Sequence, residues 1–279
     1  MSTDLLKQLQ YKLINLDNYK EAIEIHKKGV LVIYRNPNTK TLIETKNGTI
    51  SKAQVIFLVI PGGKYQYISE QESLPIAKKF FQLGYSTATL SYYLSPYTDE
   101  STQYNQCYQS LQLLSIYFKK VVMVGFSAGG HLAGLLGTAP LEDRFNAFAM
   151  VLCYPVISFE KNVDTITRAN FLGKDHEEDK NLQKEFSVDE RVNNITLPTF
   201  IWTFKDDKVV PYENTLLMIE QLKKNNIPYK AKIFEHGIHG MALADENTMI
   251  EGKEEYKNKE VATWVDSACQ FVDDVLKKY

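Results

Sequence analysis

The most constraining feature of this chain is the run Val121-Val-Met-Val-Gly-Phe-Ser-Ala-Gly-Gly-His131. An apolar stretch meets a serine that has glycines two residues to either side. A strand that is apolar at consecutive positions has to be covered on both faces, which places it inside a mostly parallel sheet flanked by helices. The residues after the serine read as a helix, so strand and helix meet at a sharp turn. Such a G-x-S-x-G turn holds its serine in a strained conformation, and the glycines let the two backbones pass without a Cβ between them. It projects the Ser127 hydroxyl into a site and sets it beside the free N–H groups of a helix N-terminus, which favour developing negative charge.

The rest of the chain repeats this alternation. Strands are expected at Val30–Tyr34, Val55–Ile60, Tyr85–Leu90, Val121–Gly125, Phe148–Tyr154, Thr199–Phe204 and Tyr229–Phe234. Helices are expected at Leu74–Leu83, Ser101–Phe118, His131–Leu136, Glu213–Asn225 and Glu255–Lys278, where apolar residues recur every three or four positions. The first twenty residues carry a weak helical signal. No internal repeat is visible, and 279 residues, enough for one large domain or two small ones, are expected as a single domain able to bury about three quarters of its surface. One stretch breaks the pattern. Residues 158–194 are polar and charged, including KDHEEDKNLQKE, and read either as a solvated insertion or as part of a lid or pocket wall.

Composition removes several classes. Lys+Arg 32 against Asp+Glu 34 gives a net charge of -2, with no basic excess for nucleic acid. The longest apolar run, Val55–Ile60, is far too short to cross a bilayer, and the N-terminus lacks a leader's apolar core, so a cytoplasmic chain is expected. Cys107, Cys153 and Cys269 are odd in number and far apart, and are expected as free thiols.

A serine hydroxyl needs a base within hydrogen-bond reach and a carboxylate to orient that base, both downstream of it in this topology. Two loops offer them: Lys205-Asp206-Asp207-Lys-Val-Val-Pro211 after one strand and Glu235-His236-Gly237-Ile238-His239-Gly240 after the next, with room for one helix and one strand between them. Glu235 and Asp245 are the other carboxylates to weigh. Donors for an oxyanion are expected partly from a loop after an early strand, and Pro61-Gly62-Gly63-Lys64-Tyr65 after VIFLVI fits. His131 is read as packing against the sheet rather than as a base. His236 and His239 lack a third ligand at convincing spacing for a metal. Tyr65, Tyr92 and Tyr154 fall near strand ends, where ordinary packing is the simpler role.

Taken together, PGGKYQYISEQESLPIA, LSYYL, GFSAGGHLAG, LPTFIWTFKDDKVVP and IFEHGIHG resemble, in order, the motifs of the acetyl esterase and acetylxylan-esterase-like group of α/β-hydrolases, related to the hormone-sensitive-lipase-like esterases. The resemblance runs from about Val55 to Leu243. It implies an α/β-hydrolase fold with a mostly parallel central sheet of about eight strands and helices on both faces. It also implies Ser127 as nucleophile, Asp207 as the acid of D-x-x-V-P, His239 as the base of H-G-x-H-G, and the backbone N–H groups of Gly63, Lys64 and Ala128 as oxyanion donors. Lys64 departs from the pattern, which usually has a third glycine there. The implied activity is hydrolysis of short acyl esters, acetyl above all, on sugars or oligosaccharides, with a small-molecule ester as partner and neither cofactor nor metal. A homo-oligomer is left open. Rival readings are a peptidase or arylformamidase with the same triad, and a binding protein on a hydrolase fold.

Overall fold

The computed structural model describes residues 12–14, 20–25, 29–36, 41–94, 100–162 and 164–278. In chain order the strands are β1 (Lys12–Ile14), β2 (Lys20–Ile25), β3 (Gly29–Tyr34), β4 (Leu42–Thr45), β5 (Gly48–Ser51), β6 (Val55–Ile60), β7 (Ser86–Ser91), β8 (Lys120–Phe126), β9 (Ala147–Cys153), β10 (Thr199–Phe204) and β11 (Tyr229–Phe234). The helices are α1 (Leu74–Gln82), α2 (Glu100–Tyr117), α3 (Ala128–Gly137), α4 (Thr165–Leu172), α5 (Lys180–Glu185), α6 (Val188–Arg191), α7 (Glu213–Lys224), α8 (Lys259–Ala262) and α9 (Trp264–Lys278).

Nine strands form one sheet in the order β1-β2-β3-β7-β6-β8-β9-β10-β11. From β7 to β11 every pairing is parallel, while β1, β2 and β3 join antiparallel at one edge. This is the α/β-hydrolase architecture, a mostly parallel sheet with helices on both faces. Every residue of β6, β9 and β10 is buried, as expected of strands covered on both faces. Alternate residues feed opposite cores. Ile56, Leu58 and Ile60 meet Leu111 and Leu114 of α2, Leu132 and Leu136 of α3 and Met218 of α7. On the other face Val55, Phe57 and Val59 meet Phe80 of α1 and Trp264, Phe271 and Val275 of α9. Each such buried side chain stabilises the fold by roughly 1.5–3 kcal/mol.

The order of strands sets the position of the site. β6 lies between β7 and β8, and the chain leaves β6 toward α1 on one face but leaves β8 toward α3 on the other. The carboxyl ends of β6 and β8 therefore flank a crevice where the connections diverge, the usual ligand position in an open parallel sheet.

The structure departs from the expected elements at four points. Residues 12–14 of the segment expected to be helical form β1 instead, paired to β2; the remainder of residues 1–19 lies outside the described residues. β2 in turn pairs antiparallel with β3, which extends this edge of the sheet. The helix expected over Glu255–Lys278 is divided, because Asn258 accepts from the amides of Glu260 and Val261 and so starts a new helix at Lys259. The third is α3, which begins at Ala128, three residues before the expected start. Finally, the β4–β5 hairpin was not anticipated, although Asn47-Gly48 is a strong two-strand signal. Among the described residues no helix is long and apolar enough to cross a membrane. Cys107, Cys153 and Cys269 are free thiols.

The crossing of α3 over β6 leaves no room for a side chain. A Cβ on Gly129 would stand 2.0 Å from the Ile60 carbonyl oxygen, and one on Gly125 would stand 2.3 Å from the Gly129 carbonyl oxygen. Gly129→Ala is expected to cost about 3 kcal/mol or more, measured by chemical denaturation. A midpoint matching wild type would show that helix and sheet separate freely at this point.

Candidate active site

The turn between β8 and α3 holds Ser127 at φ 51 and ψ −116, a conformation that costs of order 1–3 kcal/mol for a residue with a side chain. Neighbouring backbone maintains it. The Ser127 N–H donates to the Cys153 carbonyl at 3.0 Å, and the Ser127 carbonyl accepts from Val156 N at 3.1 Å and His131 N at 3.2 Å. Ser127 is almost fully buried, at the N-terminus of a helix whose dipole favours negative charge.

The two aspartates and two histidines left open by the sequence form two parallel pairs. Asp207, with a fully buried side chain, receives the Nδ1 proton of His239 on Oδ2 at 2.7 Å. Its Oδ1 accepts from the amides of Val209 and Val210 at 2.8 and 3.0 Å, which fixes the carboxylate. His239 Nε2 then lies 2.8 Å from Ser127 Oγ, where it accepts the hydroxyl proton. The second pair points outward. Asp206 Oδ2 lies 3.0 Å from Nδ1 of His236, a histidine side chain that is 85% exposed. The His236 hydrogen bond also holds the Asp206 carboxyl below the usual carboxylate range. Glu235 pairs with Lys205, and Asp245 accepts from Asn247 N, so neither contacts His239.

The loop after β6 turns through positive φ at Gly63 (121°), Lys64 (56°) and Tyr65 (61°). The amides of Gly63, Lys64 and Ala128 have no protein acceptor among the described residues. Lys64 occupies a left-handed conformation that glycine adopts freely and that costs a side-chain-bearing residue roughly 1–2 kcal/mol. Its own contacts hold it there. The ammonium lies 3.3 Å from the nearly buried Asp164, and the Lys64 carbonyl accepts from Asn170 Nδ2 at 2.8 Å. Both partners belong to the 158–194 segment.

That segment is not merely solvated. It folds as α4, α5 and α6 and buries Phe159, Phe171, Leu172 and Val188. His131, expected to pack rather than to act as a base, is fully buried, and its ring meets this segment. Its ring contacts Phe159 at 4.4 Å and Phe171 at 5.0 Å between centroids. Burial pushes its pKa down to about 4, so it is neutral near pH 7; Nε2–H donates to the Phe186 carbonyl at 2.7 Å, and Nδ1 accepts from the Tyr65 hydroxyl at 2.8 Å. The other tyrosines also hold loops. Tyr92 donates to the Pro61 carbonyl at 2.7 Å and Tyr154 to Glu72 Oε1 at 2.7 Å.

Glu72 was missed from the sequence. It is a 2% exposed carboxylate whose Oε2 accepts from Gly62 N at 2.8 Å. Three candidates, Glu70, Gln71 and Glu72, stand in a row there, and nothing in their order shows which one faces inward. Among the described residues no cluster of three His, Cys, Asp or Glu is arranged to hold a metal ion.

The chain is similar to several known proteins. The profile of the prolyl oligopeptidase family matches residues 80–266, more than half of the chain. The endo-1,4-β-xylanase B of Butyrivibrio fibrisolvens is 29% identical over 68% of the chain, and the acetylxylan esterase of Xylanibacter ruminicola is 28% identical over 66%. The matches cover 33% and 40% of those two proteins, so the chain spans well under half the length of either. The crystal structure of a sugar hydrolase from Lactococcus lactis superposes with a TM-score of 0.74 at 28% identity, covering 91% of this chain and 97% of that one.

The buried His131 links pH to stability. Below about pH 6.5 the unfolded chain takes up a proton at this imidazole that the native state refuses until about pH 4, so stability falls as pH drops through that window. The loss from this group is about 3 kcal/mol at the acid end. His131→Gln is expected to be less stable at pH 7 but to show a shallower decline between pH 6.5 and 4 in urea-unfolding midpoints. Parallel declines in both proteins would contradict this assignment.

Proposed function

The chain belongs to the prolyl oligopeptidase family, and from that premise we propose that it is a serine carboxylic-ester hydrolase for short acyl groups, acetyl above all, carried on sugars or oligosaccharides. The single observation that carries this reading is the hydrogen-bonded series Ser127–His239–Asp207 at the crevice between β6 and β8. Ser127 Oγ attacks the acyl carbon while its proton passes to His239 Nε2. Asp207 holds the imidazole tautomer and stabilises the imidazolium. The developing oxyanion is taken by the N–H groups of Gly63, Lys64 and Ala128, a charge-stabilising set aided by the N-terminus of α3. The acyl–oxygen bond then breaks and the alcohol leaves with the proton from His239. Water repeats the sequence on the acyl-enzyme, releasing the carboxylic acid.

The names of the xylan-directed relatives and of the sugar hydrolase support an acetylated carbohydrate as substrate. The ties from Lys64 to Asp164 and Asn170 support the 158–194 segment as a wall beside the oxyanion loop, which would limit acyl length. The name of the matched family favours a second reading, cleavage of a peptide bond by the same groups.

Turnover of p-nitrophenyl acetate against a peptide anilide and an aryl formamide separates these readings, with the acetate ester expected to be strongly preferred. Acetyl and propionyl esters should exceed octanoyl in kcat/KM, since each methylene without an apolar wall forgoes up to about 0.8 kcal/mol. A preference for the anilide, or for long acyl chains, would overturn the short-acyl assignment.

Ser127→Ala and Asp207→Asn are each expected to lower kcat by roughly 10³-fold or more with the fold retained. His239→Gln should abolish turnover, whereas Asp206→Asn and His236→Gln should stay within about tenfold of wild type. Larger losses in the exposed pair than in the buried one would mean that the wrong Asp and His carry the chemistry.

A further inference from the structure

Glu72 lies between the two loops that face each other across Ser127. Its Oε2 accepts the Gly62 N–H, in the loop that leads to the proposed oxyanion donors. A Cβ on Gly62 would stand 2.8 Å from both Glu72 Oε2 and Ser127 Cβ, so carboxylate and serine side chain press on the same backbone unit. Glu72 Oε1 accepts the Tyr154 hydroxyl proton, and the Tyr154 oxygen accepts from Ala242 N at 3.1 Å, three residues beyond His239. The Tyr154 ring stands 4.8 Å from the His239 ring. The adjacent Gln71 donates to the Gly240 carbonyl at 2.5 Å.

Both Glu72 oxygens therefore receive hydrogen bonds, the arrangement that suits a charged carboxylate. Burial opposes this and pushes its pKa above the ordinary carboxylate value, while the Tyr154 hydroxyl, His239 and the Gly62 amide pull it down. A buried carboxylate is costly unless compensated. Among the described residues no Lys or Arg pairs with it. The Tyr67, Tyr92 and Tyr154 phenols and the Cys153 thiol face it, all pushed upward by burial and hence neutral near pH 7. The group that faces it and becomes cationic during a proton transfer is His239, with Asp207 and Ser127 on that ring's two nitrogens.

We infer that Glu72 is a positioning residue of this site: it ties the oxyanion loop to the histidine loop through Gly62 and Tyr154, and its charge stabilises the imidazolium form of His239. The inference rests on the proposed role of His239 as base and adds a second carboxylate behind it.

Glu72→Gln keeps the size and an acceptor for Gly62 but removes the charge. With p-nitrophenyl acetate its kcat is expected to fall about ten- to a hundredfold with KM little changed. The acid limb of its kcat/KM profile should move to lower pH by about half a unit or more, because the imidazolium loses a nearby anion. Glu72→Asp, which keeps the charge, should leave the limb in place. NMR titration of the His239 imidazole, assigned by loss of its signal in His239→Gln, should show the same downward move in Glu72→Gln without any need for turnover. In the unsubstituted protein labelled with ¹³C-glutamate, the Glu72 Cδ signal should inflect at the pH where His239 titrates, which keeps the test open if Glu72→Gln does not fold. An unmoved imidazole titration, or no such inflection, overturns the inference even if kcat or stability falls. Absence of ester turnover by the wild type would instead overturn the proposed function, and the two NMR measurements would still decide the Glu72 coupling.

Discussion

Backbone passes backbone, with no side chain between, where α3 crosses the end of β6, and the rest of the site depends on that contact. The helix can start directly beneath the loop after β6 only because Gly125 and Gly129 lack a Cβ there. The same closeness brings Ser127 against Gly62 and so brings the serine beside the loop whose amides are free. Strain at Ser127 is a consequence, offset by three backbone hydrogen bonds to and from its peptide units. The candidate site is therefore a property of how two strand ends meet, with the serine carried along by the crossing.

Burial then separates groups that look alike. Asp206–His236 and Asp207–His239 have nearly the same hydrogen-bond geometry and come from the same two loops. One pair lies at the surface, where its attraction is screened by solvent. The other is enclosed, with Asp207 fixed by two amides and His239 between it and Ser127. A low-dielectric surrounding strengthens that polar series and makes any unpaired member costly. Glu72 follows the same logic, as a buried carboxyl whose donors are Gly62 N in the loop after β6 and the Tyr154 hydroxyl at the end of β9, which in turn accepts from Ala242 N beyond His239.

Residues 158–194 show how a polar stretch can still be structural. Most of its charged side chains face outward, while Phe159, Phe171 and Val188 join the core on one face of the sheet, the two phenylalanines against the His131 ring. Two links join it to the loop after β6: Lys64 to Asp164 and Asn170, and Tyr65 through His131 to Phe186. The lysine that replaces a usual glycine thus exchanges backbone freedom for a side-chain tether to the segment beside it.

The strands of the parallel sheet, the serine turn and the order of the loops were legible in the sequence, because continuous apolar runs, paired glycines and chain order are local signals. Local patterning also brought forward Asp206 and Asp207 as acids, with Glu235 and Asp245 behind them, and His236 and His239 as bases, and resemblance chose among them. The sequence by itself went no further, since adjacent positions in a loop carry no periodicity that states which one turns inward. Tertiary structure alone decided which Asp–His pair is enclosed, that His131 packs its ring on Phe159 and Phe171 of the 158–194 segment, and that Glu72 among Glu70, Gln71 and Glu72 is the buried one. Each of those outcomes depends on contacts between residues tens of positions apart, and burial, which sets the strength of a charge or a hydrogen bond, exists only once those residues have met.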